Sequence, residues 1–373
     1  MSNPGKKNMI AIKEEKLKIP AVILEKISTD PIATAKAIKL VYVTNEMEGY
    51  TRQKKGKGFI YVLNKKQIKN KAALHRIKSL VIPPAWQNVW VCPLENGHLQ
   101  ATGLDAAKRK QYRYHPSWNK LRNHTKFYRM MNFGKALPEI RKRINKDLNQ
   151  QDLTKEKVLA LVVTLMERTS IRIGNDAYEK LYGSFGLTTL KDKHAAIKNN
   201  SIKFSFKGKK GVEHSISLKS KKLAKLVQQC RDIPGKELFQ YYDAESKRQS
   251  IDSGMVNEYL KQTVGEDFTS KDFRTWSGTV QALLALNDIG GFTSQQDAKQ
   301  KTVAVLDKVS AHLGNTRTVC KKYYVHPALL DMYANNELGK WLKQLKSIGK
   351  NEKDALNMEE KILMKILKHQ TVN

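Results

Sequence analysis

The chain has 373 residues, 40% of them hydrophobic, and its 68 lysine and arginine residues exceed its 35 acidic residues by 33 charges. This length and composition exclude a disordered chain and allow two or three domains with a buried core. The positive excess indicates a polyanionic partner, nucleic acid first, although ribosomal, chromatin and membrane-surface roles stay open on charge alone.

The spacing of cysteines and histidines and the lack of long apolar segments exclude further classes of protein. The three cysteines are far apart and form neither a disulfide framework nor a zinc pair. The nine histidines show no metal-ligand spacing and no phosphate-binding loop occurs, so we expect no metal, nucleotide or other cofactor. The N-terminal residues lack a signal-peptide pattern, and no run reaches the roughly 18 apolar residues of a membrane span. We expect a soluble, cytoplasmic monomer without membrane contact, nucleoid-associated if bacterial.

The first part of the chain is predicted to contain a basic arm and a small β-rich domain. Residues 1–35 are rich in lysine and show little periodicity. Residues 36–116 carry mostly strand signals, with one helix predicted at 70–80, where apolar residues recur at helical spacing. Strands are predicted at 39–43, 58–62, 89–92, 98–102 and 111–114, the first two as a hairpin.

Cations and aromatic rings alternate in the predicted strand at 111–114. Tyr112 and Tyr114 should share one face of this strand, with Arg113 on the other. Such a strand can press cations onto phosphates and rings onto sugars or base edges. An edge strand with a basic outer face is an equally good interpretation of the same residues.

After residue 116 the composition changes to long helical patterns. Residues 117–345 are predicted to form a larger, mainly helical domain, and a basic helix is expected within 346–373. Its helices are predicted at 118–150, 156–167, 219–231, 252–263, 273–287 and 294–313. Alternating residues at 201–206 and 212–218 predict a β-hairpin with lysines at its tip. The fold class is therefore α+β.

Three cations stand at the ends of these elements. The helix at 156–167 is apolar around most of its circumference and leads to Arg172, whose burial is costly unless it meets an anion. Lys209 lies at the hairpin tip, where a solvated lysine is ordinary. Arg274 falls in the first turn of a helix that opens with a capping-type sequence.

Two tyrosines follow the glycine that ends the helix at 294–313. Tyr323 and Tyr324 lie close in sequence to Arg317, Lys321 and Lys322. A tyrosine hydroxyl becomes a covalent nucleophile where its anion is stabilised. From this segment alone, a surface turn with aromatic anchors is the stronger interpretation.

Taken together, these segments resemble the type IB DNA topoisomerases, in particular the small bacterial and poxvirus-type enzymes. The resemblance covers roughly residues 31–345, and its motifs occur in the family's order. They are IPPAW at 82–86, HLQATG at 98–103, RKQYRYH at 109–115, IRIGN at 171–175, FKGKKG at 206–211, KDFRTW at 271–276, LGNT at 313–316 and CKKYYVHP at 320–327.

The resemblance implies a set of catalytic residues, which are Arg172, Lys209, Arg274, Asn315 and Tyr324. The family's Ser-Lys-x-x-Tyr pattern puts Tyr324, and not Tyr323, in the place of the nucleophile. Asn315 stands where poxvirus-type enzymes carry histidine. Its amide can donate to a phosphate oxygen but cannot become a cation, and a plain Gly-Asn helix terminus is an equally good interpretation.

The resemblance further implies that the β-rich domain at 36–116 and the helical domain form a clamp around duplex DNA. The DNA contacts it suggests are Arg109, Lys110, Gln111, Tyr112, Tyr114 and Tyr178. Duplex DNA is therefore the expected partner, and a bacterial source is favoured over a large virus.

The implied chemistry suits these residue types. Guanidinium groups at Arg172 and Arg274 can bind the non-bridging oxygens of a phosphodiester, and Lys209 can protonate the departing 5′ oxygen, with Lys207 and Lys210 as alternatives. The expected activity is relaxation of supercoiled DNA through a 3′-phosphotyrosyl intermediate, without ATP or metal. A site-specific tyrosine recombinase and a non-catalytic basic nucleic-acid-binding protein are the alternatives.

Overall fold

A computed structural model of the chain describes residues 31–56, 58–105, 110–266, 268–346 and 356–372. The predicted DNA contact Arg109 and most of the predicted basic arm lie outside these residues. The chain divides into two compact units, the first ending at Thr125 and the second beginning at Lys126. The limits of the predicted domains, at 35, 116 and 345, stay predictions.

The first unit contains a six-stranded antiparallel sheet with the strand order β3-β2-β1-β4-β5-β6. Its strands are β1 Tyr50–Lys55, β2 Gly58–Leu63, β3 Lys66–Gln67, β4 Gln87–Val91, β5 Leu99–Leu104 and β6 Lys110–Tyr114. Two helices precede or interrupt the sheet, α1 Pro31–Ala37 and α2 Lys71–Ser79. The sheet, helix α2 and the strands predicted near 89–92, 98–102 and 111–114 are confirmed.

The strand predicted at 39–43 is wrong. Val41 forms an isolated bridge with Gly97, and the antiparallel partner of β2 is β1 instead. The apolar residues of 39–43 serve packing, because Leu40 is buried beside Trp118. Strand β1 escaped prediction because its sequence, YTRQKK, is polar on both faces and shows no apolar alternation.

The second unit is mainly helical, which confirms the α+β class. Its helices, the first of which contains the division between the units, are α3 Pro116–Leu148, α4 Lys155–Thr169, α5 Asp176–Tyr182, α6 Lys221–Arg231, α7 Ser253–Val264, α8 Ser270–Ile289, α9 Gln295–Leu313, α10 Arg317–Tyr323, α11 Pro327–Ala334, α12 Gly339–Lys346 and α13 Met358–Val372. Its strands are β7 Ala195–Lys198, β8 Ser201–Lys207, β9 Glu213–Lys219, β10 Gln240–Tyr242 and β11 Arg248–Ser250. None of the helices described here is long and apolar enough to cross a membrane.

Helix α4 is the centre of the second unit, as its sequence predicts. Every residue from Lys157 to Met166 is buried. Thr154 caps its N-terminus by accepting a hydrogen bond from the backbone of Lys157, and the helix ends at Ser170 in the left-handed conformation. The left-handed residue therefore ends the helix two positions before Arg172, while Ile171 between them is still buried.

The predicted hairpin forms from β8 and β9, in a three-stranded sheet with β7. Ile202, Phe204 and Phe206 point into the core, and the alternate residues of β8 are exposed or half-buried. The tip at Lys209–Gly211 is closed by a hydrogen bond from the amide of Gly208 to the carbonyl of Val212, 2.7 Å long. The hairpin thus holds Lys209 at its exposed end.

Helix α13 is anchored by a buried carboxylate. Glu360 is 5% exposed and accepts hydrogen bonds from Arg141 on α3 and from Nε1 of Trp276 on α8, each at 2.8 Å. Arg141 also pairs with Glu167 of α4, at 2.6 Å. Burial by itself would raise the pKa of Glu360, but the hydrogen bonds and charge of Arg141 outweigh it and lower that pKa. The Glu360 carboxylate therefore connects α13 to α3 and α8 directly, and Arg141 extends the network to α4.

Replacing Glu360 by alanine is expected to lower the free energy of unfolding by about 2–3 kcal/mol, because Arg141 and Trp276 lose a buried acceptor while Glu167 still pairs with Arg141. Denaturant unfolding measures the change. Glu245→Ala is the control, because its pair with Lys247 is exposed. The difference between wild type and Glu360→Gln should shrink as the pH falls through the lowered pKa of Glu360. Equal losses at both positions would contradict the buried network.

Candidate active site

Arg172 lies just beyond α4 and is joined to the segment that follows α9. Its Nη2 donates to Oδ1 of Asn315 at 2.5 Å and lies 3.4 Å from the carbonyl oxygen of Gly314. Burial lowers the pKa of Arg172 to about 10, and the positive charge of Arg274 adds to this lowering. The structure therefore brings together three of the predicted residues, Arg172, Arg274 and Asn315, and Arg172 is more than a hundred positions from the other two in the chain.

Arg274 is held from both sides by backbone carbonyls. Thr269 caps the start of the helix that carries Arg274, as the sequence predicts, and the amide of Thr269 donates to the carboxylate of Asp272 at 2.8 Å. One terminal nitrogen of Arg274 donates to the carbonyl of Ser170, and the other donates to the carbonyl of Leu313 at 2.8 Å. The side chain is 5% exposed. Burial lowers its pKa, and the nearby Tyr324 opposes that effect.

Tyr324 follows the short helix α10 and faces Arg274. Its ring centroid lies 5.3 Å from Cζ of Arg274. The carbonyl oxygen of Tyr324 lies 3.1 Å from Oγ1 of Thr279, and the amide of His326 donates to the same hydroxyl at 3.1 Å. These contacts fix the backbone of the tyrosine against helix α8, which also carries Arg274.

The cations that neighbour Tyr324 in sequence have other contacts. Arg317 donates to both carboxylate oxygens of Asp307, at 2.7 and 2.8 Å. Nζ of Lys322 lies 5.4 Å from the ring centroid of Tyr323, which is 37% exposed. Arg274, the arginine described beside the ring of Tyr324, thus comes from a part of the sequence that is distant from the tyrosine.

Two buried donors in this site lack a hydrogen-bond partner among the described residues. They are Nε of Arg274 and Nδ2 of Asn315. A buried N–H group without an acceptor is unfavourable by about 1–3 kcal/mol, so such groups need an explanation. Together with the guanidinium of Arg172, they form a group of hydrogen-bond donors that suits an anion with several acceptor oxygens.

His214 belongs to the same site, although no sequence motif indicates it. Its ring stacks on Phe206, with centroids 5.0 Å apart, and it crowds Gly314, where an added Cβ would lie 2.4 Å from Cε1 of the histidine. Gly314 also has a φ of 58°, which favours glycine. Burial lowers the pKa of His214, and the charges of Arg172 and Arg274 lower it further. The sequence alternation of β9 could have indicated this position, because it puts His214 on the same half-buried face as Ile216.

Lys209 and Tyr178 are brought together by the hairpin tip. Nζ of Lys209 lies 5.6 Å from the ring centroid of Tyr178, at cation–π distance. Among the residues that the structure describes, the ammonium group of Lys209 has no hydrogen bond and no ion pair. Lys209, the predicted catalytic lysine, therefore lies against the ring of Tyr178, a predicted DNA contact.

The other predicted DNA contacts that the structure describes, Lys110, Gln111, Tyr112 and Tyr114, lie on β6 of the first unit. Tyr112 and Tyr114 stack with ring centroids 5.9 Å apart, while Arg113 bonds the carbonyl of Val81 from the other face, as the alternation predicts. Lys110 donates to Asn45 at 2.8 Å. Gln111 donates to Asp105 at 2.9 Å. Tyr112 is 46% exposed, so this edge strand offers a ring and cations to a partner.

Gly278→Ala is expected to slow any reaction of Tyr324 by at least about tenfold, with little effect on DNA binding. An added Cβ would lie 2.7 Å from the carbonyl oxygen of Tyr324 and 3.1 Å from its Cβ, so the tyrosine backbone must move, and a displacement of about 1 Å can reduce a rate about a hundredfold. Alanine at Gly291 is the control, because an added Cβ meets nothing there within 4 Å. The rate at which each variant forms a covalent protein–DNA adduct under single-turnover conditions measures the effect. Equal rates in the two variants would contradict a close approach between Gly278 and the backbone of Tyr324.

Two family models and several named proteins match the sequence of this chain. The family described as eukaryotic DNA topoisomerase I, catalytic core, matches residues 110–352, and bacterial DNA topoisomerase IB, N-terminal domain, matches residues 58–105. DNA topoisomerase 1B of Acanthamoeba polyphaga mimivirus is 31% identical over 299 residues, which are 78% of this chain and 89% of the viral protein. DNA topoisomerase 1B of vaccinia virus (strain Copenhagen) is 26% identical over 232 residues, 62% of this chain and 71% of that protein.

These matches define the class of protein as an isomerase, a DNA topoisomerase. Within that class, the chain belongs to the type IB DNA topoisomerase family. The α+β fold and the basic composition are consistent with that membership.

Proposed function

We propose that the protein relaxes supercoiled duplex DNA by cutting one strand, forming a 3′-phosphotyrosyl bond at Tyr324, and rejoining the strand. The observation that carries the proposal is the pair of unpartnered buried donors, on Arg274 and Asn315, next to the guanidinium of Arg172. Phosphate oxygens are the acceptors that such donors require. The Tyr324 ring lies 5.3 Å from the Arg274 guanidinium, close enough for its hydroxyl to reach a phosphate held there.

The reaction is a transesterification. The phenolic oxygen of Tyr324 bonds to phosphorus and releases its proton to solvent water. The bond from phosphorus to the 5′ oxygen breaks, and that oxygen takes a proton from Lys209. Reversal of these steps rejoins the strand. One phosphoester replaces another, so the number of phosphoester bonds is unchanged and religation needs neither ATP nor a metal.

Charge on the non-bridging oxygens is stabilised by the site donors. Arg172 and Arg274 supply two guanidinium groups, which bind phosphate through directed hydrogen bonds. Asn315 adds an uncharged amide donor, oriented by its bond to Arg172, 2.5 Å long. We therefore assign Asn315 a smaller share of the stabilisation than either arginine.

Lys209→Ala is expected to slow cleavage of ordinary DNA by about two to four powers of ten, the usual range for loss of a general acid. The loss should almost vanish on DNA whose 5′ leaving oxygen is replaced by sulfur, because a thiolate leaves without protonation. Lys210→Ala is the matched control, since it removes the next lysine of the same tip. Equal losses on both substrates would remove Lys209 from the role of acid.

We also propose that duplex DNA is contacted by the residues predicted from the motifs: Arg109, Lys110, Gln111, Tyr112, Tyr114 and Tyr178. The exposed ring of Tyr112 and the lysine beside it support this for β6. The formal charge of +33 supports strong, salt-dependent binding.

The test is incubation with a single supercoiled plasmid in EDTA without ATP. Relaxation under these conditions is the expected result. A requirement for paired recognition sites would favour a tyrosine recombinase instead. Tight, salt-dependent binding with no relaxation and no covalent adduct would leave only a nucleic-acid-binding protein.

A further inference from the structure

Three polar side chains beside Arg274 form a cluster that the proposed reaction does not use. Oγ of Ser170 lies 2.8 Å from Oγ of Ser277, and Nε2 of His312 lies 3.0 Å from the first and 3.1 Å from the second. Each atom is thus within hydrogen-bonding distance of the other two. We call Ser170, Ser277 and His312 the serine–histidine cluster.

Each member of the cluster comes from a segment that also holds Arg274. Ser170 provides the carbonyl that accepts from one terminal nitrogen, and His312 precedes Leu313, whose carbonyl accepts from the other at 2.8 Å. Ser277 lies three residues after Arg274 on α8, and residues at this spacing share a helix face. The side chains therefore connect the two backbone segments whose carbonyls fix the guanidinium.

The backbone at Ser170 is a second, independent observation. Its φ is 53°, in the left-handed region where glycine is the least strained residue. Helix α4 ends there, at a position where glycine is the usual residue. A serine at this position gains its hydroxyl at a conformational cost, which indicates that the hydroxyl serves a purpose.

We propose that the serine–histidine cluster positions the guanidinium of Arg274 for the cleavage step. The inference rests on the proposed function, because it assumes that Arg274 binds the scissile phosphate. The cluster keeps the carbonyls of Ser170 and Leu313 at the spacing that engages both terminal nitrogens. Nε of Arg274 is then left as a buried donor for the phosphate. None of the three cluster residues is assigned a contact with DNA, so they are positioning residues.

Protonation of His312 should make the serine–histidine cluster sensitive to pH. His312 is partly exposed to solvent, but desolvation of its ring lowers its pKa, and the positive charge of Arg274 on α8 lowers that pKa further. Of the elements described around the ring, α8 supplies this charge, while the end of α4 presents the uncharged Ser170. A neutral ring can accept a hydroxyl hydrogen at Nε2, but a protonated ring only donates and adds a second cation beside Arg274. Cleavage should therefore slow as the pH falls through a value below 6.5, the ordinary pKa of histidine.

The experiment measures the single-turnover rate of adduct formation between about pH 5 and 8, the range in which histidines titrate. At neutral pH, His312→Ala and Ser277→Ala should be slower by roughly 3- to 10-fold, the effect of one lost hydrogen bond, with unchanged DNA affinity. His312→Gln keeps an amide near the serines, so this variant should retain most of the wild-type rate of adduct formation at neutral pH. It should lose the decrease in rate at low pH that we attribute to protonation of His312. His214 is present in both proteins, so their difference reports His312 alone.

Ser170→Gly separates positioning from folding. Glycine relieves the left-handed backbone, so the variant should unfold at the same or a higher temperature while adduct formation slows. This inference would be overturned if the alanine variants and Ser170→Gly formed the adduct at the wild-type rate. It would also be overturned if His312→Gln kept the wild-type decrease in rate at low pH. Neither result would contradict the proposed function. Failure of the wild-type protein to form any adduct through Tyr324 would overturn both.

Discussion

Tyr324→Phe is expected to bind duplex DNA normally and to form no denaturant-resistant protein–DNA adduct. The change removes the single oxygen that attacks phosphorus in the proposed reaction. It keeps the ring whose centroid lies 5.3 Å from the Arg274 guanidinium, so the rest of the site should persist. Labelled duplex DNA, denatured after mixing and separated by electrophoresis, measures the adduct, and a binding titration measures affinity.

Tyr323→Phe is the matched control for this change. Tyr323 is the adjacent residue, 37% exposed, with Lys322 over its ring. It should form the adduct at close to the wild-type rate, because no atom of its side chain takes part in the proposed step. An adduct that persists in Tyr324→Phe, or disappears in Tyr323→Phe, would place the nucleophile elsewhere.

Arg274→Lys is expected to slow adduct formation by about two to three powers of ten, the effect of losing one preorganised donor to a developing negative charge. Lysine keeps the charge but has one compact ammonium group. That group cannot hold the carbonyls of Ser170 and Leu313 and also bind phosphate, as the forked guanidinium can. DNA affinity should change little, since the formal net charge stays +33.

Arg317→Lys provides the comparison for the arginine. Arg317 lies in the same tyrosine-bearing segment, but its guanidinium is exposed and paired with Asp307. Its replacement should leave the rate of adduct formation within about twofold of wild type, as expected for an exposed pair. Thermal unfolding of both variants separates a lost donor from a lost fold. A similar loss of rate at the two positions would contradict the assignment of Arg274.

Much of the fold could be predicted from local sequence rules. Asn70 caps α2 by accepting from the amide of Ala73, at 3.0 Å, and Gly314 ends α9 in the left-handed conformation. The apolar run of α4 and the alternation of β8 likewise reflect burial directly. Each of these signals is contained within a few neighbouring residues.

What could not be predicted depends on tertiary partners. The salt bridge of Arg317 with Asp307 turns that arginine toward α9, although the sequence puts it close to Tyr324. His214 enters the site only because the hairpin packs against Gly314. The cluster of Ser170, Ser277 and His312 joins residues up to 142 positions apart. The catalytic roles of these residues stay predictions.

Mass spectrometry of the trapped covalent adduct tests the central claim most directly. The wild-type protein would be reacted with duplex DNA, denatured, and digested with protease and nuclease to leave one nucleotide on one peptide. We predict a nucleotide joined through its 3′ phosphate to Tyr324, with a free 5′ hydroxyl on the released strand. A nucleotide on any other residue, a link through a 5′ phosphate, or no adduct at all would contradict the proposed mechanism.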